Sequence, residues 1–182
     1  EAVMAAQWAK ARAIRPDVLF ELKQDYGNVR FLRHGTHVRA GDTAYDVDTN
    51  SRRCFYVQAY ASCVHNDYFV TSIHASPHSY ALAMIRMLAA GVPTFGMNLV
   101  ILPEPARAVL AAWLAFYNAQ RTLFMTAREP QDNTLAVWQG GSKRAAWVAA
   151  IWNAREVKIP AAARVTLMNG TAHPDLIVRI AR

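Results

Sequence analysis

At 182 residues the chain is long enough for one substantial core, and 53% hydrophobic with 18% charged residues is the composition of a globular protein rather than a disordered one. No apolar run approaches the roughly 20 residues of a bilayer span, because Arg86 interrupts one apolar helix while Arg107 and Arg121 flank another, so a membrane-spanning reading is excluded. The net charge of +7 invites a nucleic-acid partner, but the arginines are spread from Arg12 to Arg182 instead of gathering in one stretch, which argues against one.

The chain opens on Glu-Ala-Val-Met inside an alanine-rich helical pattern. It reads as a piece of a longer protein, so compartment is left open, as is oligomeric state, a homo-oligomer included. Residues 1 to 15 are predicted helical through Met4, Trp8, Ala11 and Ile14, with Pro16 closing the helix. Asp17 to Leu22 (DVLFEL) is a continuous apolar run of the kind expected for a strand buried on both faces. Thr36 to Ala40 is a weaker strand, and Ser62 to Ile73 a third, rich in β-branched and aromatic residues. Ser76 and Pro77 supply a cap and a first-turn proline for a helix with Ala81, Met84, Ile85 and Leu88 on its apolar face, ended by Gly91 and Pro93. Thr94 to Leu102 is a fourth strand, and Pro103 and Pro105 start an amphipathic helix through Leu110, Trp113, Leu114 and Tyr117.

Strands alternating with helices predict parallel βα units, and four of them make about half of a (β/α)8 TIM barrel over residues 1–125. From Thr126 the texture changes to short runs separated by Gly, Asn and Pro, the pattern of an antiparallel sheet domain over residues 126–182. Within it, Met168 to Thr171 (MNGT) is expected to be a tight hairpin turn. The alanines of RAAWVAAIWNA, from Arg144 to Ala154, favour helix and make it the weakest strand assignment.

In a barrel, the active site forms at the C-terminal ends of the strands. Four groups qualify: Glu21 with Gln24 and Tyr26, Arg39 with Asp42 and Asp46, His65 with Asp67, and Met97 with Asn98. Gly41 lets the backbone bend beside Asp42, and a carboxyl near a charged partner on a scaffold loop suits general acid/base work. His65 and Asp67 are two apart, so on a strand they share a face. Among the histidines, His34 with His37 and His74 with His78 lack helical i, i+4 spacing and no cysteine cluster joins them, so neither a metal nor another cofactor is expected. No Gly-x-Ser-x-Gly elbow is present for serine chemistry. Cys54 and Cys63, nine apart, match no metal or redox spacing and read as free thiols.

The ordered set PDVLFELKQDYGNVRFLRHGTHVRAGDTAYDVDTNSRR, VHNDYFVTS and GVPTFGMNLVILPEPARAVLAAWLAFYNAQR resembles the C-terminal half of the catalytic barrel of alpha-galactosidase-like glycoside hydrolases of the melibiase, family 36 type. Its most specific pieces are Arg39, Asp42, Asp46, Asn50 and Arg52, then His65 and Asp67. The resemblance implies a C-terminal β-sandwich and a retaining cleavage of α-galactosides or related α-glycosides by two carboxylates about 5 Å apart. It implies Asp42 as general acid/base, with the nucleophile in a Lys-x-Asp segment preceding residue 1. Glu21, Gln24, Tyr26, Arg39, Asp46, His65 and Asp67 would then contact the sugar. Thr43 and Ala44 replace the family's usual aromatic or Cys-Pro neighbours of that Asp, and His65-Asn66-Asp67-Tyr68 departs from its His-Ser-Asp-Met, which leaves another sugar specificity or an inactive carbohydrate-binding barrel as alternatives. An acid role also requires negative charge near Asp42 to raise its pKa, with Arg39 kept at a distance.

Overall fold

The computed structural model describes residues 1–24, 29–42, 45–59, 61 and 63–180. In chain order the elements are α1 (Ala2–Ile14), β1 (Glu21–Gln24), α2 (Val29–Leu32), β2 (His37–Ala40), α3 (Val47–Gln58), β3 (Val64–His65), α4 (Pro77–Ala90), α5 (Glu104–Ala119) and α6 (Arg121–Phe124). Six strands follow: β4 (Arg128–Pro130), β5 (Val137–Gly141), β6 (Ala146–Trp152), β7 (Glu156–Ile159), β8 (Val165–Thr171) and β9 (Ile177–Ile180).

The first sheet is parallel, in the order β1-β2-β3. Side chains alternate across it, as pleating requires. Leu22, Val38, Ala40 and Val64 point to one face and pack on Cys54 and Val57 of α3, Ala61, and Ala90 at the end of α4. Glu21, Lys23, His37, Arg39 and His65 are out of phase with them and so belong to the other face. DVLFEL is therefore not a strand buried on both sides. The ladder begins only at Glu21, and half of its residues are charged.

Helix α4 organises the rest of the packing. Ser76 Oγ accepts from the Ser79 amide, and Pro77 supplies the first turn without an amide to satisfy. Eight of its residues are buried: Ala90 against the parallel sheet and the other seven shared between two further neighbours. Tyr80, Ala83, Met84 and Met87 meet Phe69 and the α5 residues Ala106 and Leu110. Ile85, Leu88 and Ala89 meet Trp138, Trp147, Ala149, Ile151 and Met168 of the C-terminal sheet, with Tyr117 and Phe124 closing the cluster. This second cluster crosses the change of texture at residue 126.

The expected half-barrel with a following sandwich is not what forms. Among the described residues the sheets are small and none closes into a barrel: three parallel strands, a four-stranded sheet in the order β4-β5-β6-β8, and the pair β7-β9. The fourth predicted strand, Thr94 to Leu102, shrinks to one isolated bridge, Phe69 with Phe95, next to a second just ahead of it, His65 with Val92. Beyond them the Asn98 side chain accepts from the Val100 amide and caps a 3₁₀ turn at Leu99–Ile101, a local bond that competes with extension.

The C-terminal strands also depart from the antiparallel expectation. β4, β5 and β6 are antiparallel, but β6 runs parallel to β8 and β7 parallel to β9. The chain alternates between two sheets here, so neighbours within a sheet are joined by a crossover rather than a hairpin. MNGT is no turn but the end of β8. A Cβ on Gly170 would lie 2.7 Å from Ile85 Cγ2 and 3.0 Å from the Ala150 carbonyl oxygen, so the glycine lets β8 approach α4 and β6. RAAWVAAIWNA contributes β6, whose alternating Trp147, Ala149 and Ile151 face α4 while Val148 and Ala150 join Val137 and Val157 on the other side. Burial on both faces outweighs alanine's helical preference.

No helix among the described residues is long and apolar enough to cross a membrane.

Because Leu88 is 0% exposed and sits where α4 meets the C-terminal sheet, Leu88→Ala is expected to cost about 2–5 kcal/mol in urea unfolding. Leu19→Ala, at a position 73% exposed, should cost less than about 0.5 kcal/mol. Equal losses would refute the central place of α4.

Candidate functional site

The polar face of the parallel sheet gathers its charges around one guanidinium. Arg39 on β2 donates from Nε to Glu21 Oε1 on β1 at 2.8 Å and from Nη1 to Asp67 Oδ1, just past β3, at 2.5 Å. The same Nη1 lies 3.6 Å from Asp42 Oδ1. Asp67 is 2% exposed and its Oδ1 also accepts from the Tyr68 amide at 2.9 Å. The Tyr68 ring stacks under the guanidinium, 4.7 Å from centroid to Cζ. Behind Asp67, Asn50 of α3 donates to its carbonyl at 3.3 Å. Asn66 donates to the carbonyls of Met87 and Val92, tying β3 to the end of α4.

These contacts set the protonation of the cluster. Partial burial works to raise the pKa of Glu21, but the Arg39 hydrogen bond and the guanidinium charge, joined by His65 and His37 when these are protonated, outweigh it and hold the carboxyl below its usual range. Burial alone would make Arg39 easier to deprotonate, yet Glu21 and Asp67 overcome that and raise its pKa further. Burial lowers the pKa of His65, against the opposing pull of the Asn66 carbonyl and Glu21.

Asp42 departs from what an acid requires. Its Oδ2 is paired with Lys23 Nζ, and that hydrogen bond, with the charges of Lys23, Arg39 and Arg53 behind it, lowers the pKa. Its side chain is 75% exposed. Three cations near an open carboxylate favour its ionised form, so the expected upward shift is replaced by a downward one.

Of the residues singled out in the sequence, Glu21, Arg39, Asp42, His65 and Asp67 come together. Asp46 does not join them: it caps α3, with Oδ1 accepting from the amides of Asp48 at 3.1 Å and Thr49 at 2.9 Å. Gln24 ends the β1 ladder opposite Ala40, and Tyr26 lies outside the described residues. Asn98 serves the 3₁₀ turn. Arg52 stacks on Trp152, 4.7 Å from Cζ to the ring centroid.

Sequence reasoning missed Lys23, Tyr68 and His37 as members of this face. Lys23 was recoverable, since it alternates in phase with Glu21. His37 was recoverable on the same ground, two residues from Arg39, but its approach to Glu21 and His65 on other strands was not. The structure brings Glu21, His37 and His65 together with one ligating atom from each within 4.8 Å of the others, so these three are the metal-capable group among the described residues.

Comparisons with protein-family models, curated proteins and solved structures found no match to this chain.

The depressed pKa of Glu21 fixes the sign of a pH effect. Its pairing stabilises the fold above the unfolded-state pKa of about 4.3, and that contribution is lost as pH falls through the lower folded value. Glu21→Gln should therefore destabilise the protein by about 1–3 kcal/mol at pH 7, and the gap to the parent should close below about pH 4. Urea unfolding of both proteins across that range tests this, and a gap independent of pH would refute it.

Proposed function

We propose that this face binds a terminal α-glycoside, an α-galactoside first of all, and that Asp42 acts as general acid/base in a two-carboxylate double displacement. The observation that carries the reading is the convergence of the Glu21, Asp42 and Asp67 carboxylates on the Arg39 guanidinium, with the Tyr68 ring alongside. Fixed carboxylates and a guanidinium suit sugar hydroxyls, and an aromatic face suits the C–H side of the ring. The resemblance to melibiase-type enzymes, carried by Arg39, Asp42, Asp46, His65 and Asp67, points the same way and puts the nucleophile in a Lys-x-Asp segment ahead of residue 1.

On this reading Lys23 has a defined part. It keeps Asp42 ionised in the empty site, the form that activates water in the second step. A leaving-group oxygen entering between the two side chains would break the pair; Asp42 would then take a proton from solvent, give it to the leaving oxygen in the first step and regain one from the attacking water in the second. The Lys23–Asp42 pair equally favours a second reading, a site that binds carbohydrate without cleaving it. A glycosidase of another sugar specificity is the third.

The test uses protein that includes the Lys-x-Asp segment. Asp42→Ala is expected to slow α-galactosides with poor leaving groups by roughly 100- to 10,000-fold. Nitrophenyl glycosides, which leave without a proton, should react once and stall as the glycosyl-enzyme, and azide should release them. Equal slowing of good and poor leaving groups, with no azide rescue, would make Asp42 structural. Calorimetric binding of galactosides without turnover by the parent would select the second reading.

A further inference from the structure

We propose that Glu21, His37 and His65 form a binding site for a divalent transition metal of the zinc and cobalt class. This goes beyond the glycoside reading and does not rest on it, since it requires no sugar and no turnover.

The argument begins with which ring nitrogens are already committed. His65 Nδ1 lies 2.8 Å from the Asn66 carbonyl oxygen. A carbonyl only accepts, so Nδ1 carries the hydrogen and the neutral ring presents a bare lone pair at Nε2. His37 Nδ1 lies 2.9 Å from Thr36 Oγ1. That hydroxyl gives its single proton to the Phe20 carbonyl at 3.1 Å and accepts from the Phe20 amide at 2.8 Å. With its proton placed there it accepts from His37, the assignment in which Nδ1 is again the N–H and Nε2 the lone pair. Both rings are therefore held in the same sense by backbone-anchored partners on their far nitrogens, the arrangement that orients histidine ligands in metal sites.

The two lone pairs converge on one carboxylate oxygen. Glu21 Oε2 is 2.9 Å from His65 Nε2 and 3.9 Å from His37 Nε2. Ligands on one tetrahedral ion, at bonds of about 2.0–2.1 Å, stand about 3.4 Å apart, and these separations bracket that value. Although Glu21 is this near, His65 Nε2 is buried and makes no hydrogen bond. With the ring neutral, two acceptors face each other there, a cost that either a proton or a cation between them removes, and the second lone pair, from His37, favours the cation. The other Glu21 oxygen is engaged by Arg39 Nε at 2.8 Å, which fixes the carboxylate and leaves Oε2 as the ligand.

The positive charge of Arg39 is opposed by Glu21, Asp42 and Asp67. Two imidazoles and one carboxylate select zinc, cobalt or nickel over the hard cations magnesium and calcium. With three protein ligands, and with His37 and Glu21 each about a quarter exposed, an ion would keep a position open to solvent.

Chelator-stripped protein titrated with zinc in a calorimeter should bind one equivalent per chain. Cobalt(II) should give the intense visible absorption of a low-symmetry, four- or five-coordinate ion, displaced by zinc. His37→Gln, at a partly exposed position, should weaken binding at least about 100-fold and bleach the cobalt spectrum while the far-ultraviolet circular dichroism stays that of the parent. His65→Gln should do the same. His74→Ala and His78→Ala, on exposed positions elsewhere, should leave both readouts unchanged. Absence of stoichiometric binding, survival of binding in the folded His37→Gln protein, or its loss in His74→Ala or His78→Ala would each overturn the proposal.

Discussion

A guanidinium withdrawn from water must find anions or cost several kcal/mol, and Arg39 meets that demand by reaching both of its neighbouring strands. Its carbon stem is anchored on β2, Glu21 belongs to β1, and Asp67 follows β3. The strands are short, and β3 contributes only Val64 and His65 to the ladder, so few backbone hydrogen bonds hold it in register. The ion pairs supply what the ladder lacks. Removing either carboxylate would leave a partly desolvated charge in the middle of the sheet. Removing Arg39 would take from Glu21 and the buried Asp67 the cation they share.

The same pairing explains why chemistry-bearing groups collect on one side. Strand alternation sends Leu22, Val38, Ala40 and Val64 toward α3 and the end of α4, which leaves only the opposite face for charge. Groups on that face screen one another from solvent, so burial lowers the His65 pKa against its neighbours, while for Glu21 the neighbouring cations win over burial. Such a surface is suited to polar ligands and to ions, because its donors and acceptors are already oriented by bonds to the backbone at Phe20, Asn66 and Tyr68.

What could be read in the sequence was what depends on local rules. Ser76-Pro77 marks the start of α4 because capping is settled within one turn, and α1 and α5 follow from helical spacing. The convergence of Glu21, Arg39 and Asp67 was legible in part, since alternation within each strand is local even though pairing between strands is not. The remainder depended on partners far along the chain. Asn169-Gly170 has the composition of a hairpin turn, yet the glycine is there for contact with Ile85, a residue of α4. The run from Thr94 to Leu102 has strand composition, but Asn98 spends its side chain on the local turn. Asp46 has the look of a site residue because a helix cap and a ligand-binding carboxylate use the same chemistry. Lys23 carries no motif of its own, and its place against Asp42 follows only from the pairing of β1 with β2.

Strand β6 carries a consequence for how the molecule comes apart. Its residues Ala146 to Ile151 are all buried, with one set of side chains in the cluster under α4 and the other between the two C-terminal sheets. Neither layer can be withdrawn without exposing half of that strand to water. The C-terminal strands are thus coupled to α4 through a shared wall, and partial opening at one side strips contacts from both. Amide protons along β6 would accordingly exchange only through cooperative unfolding, on a slower clock than those of the two-residue β3, even though both strands lie within one continuous chain.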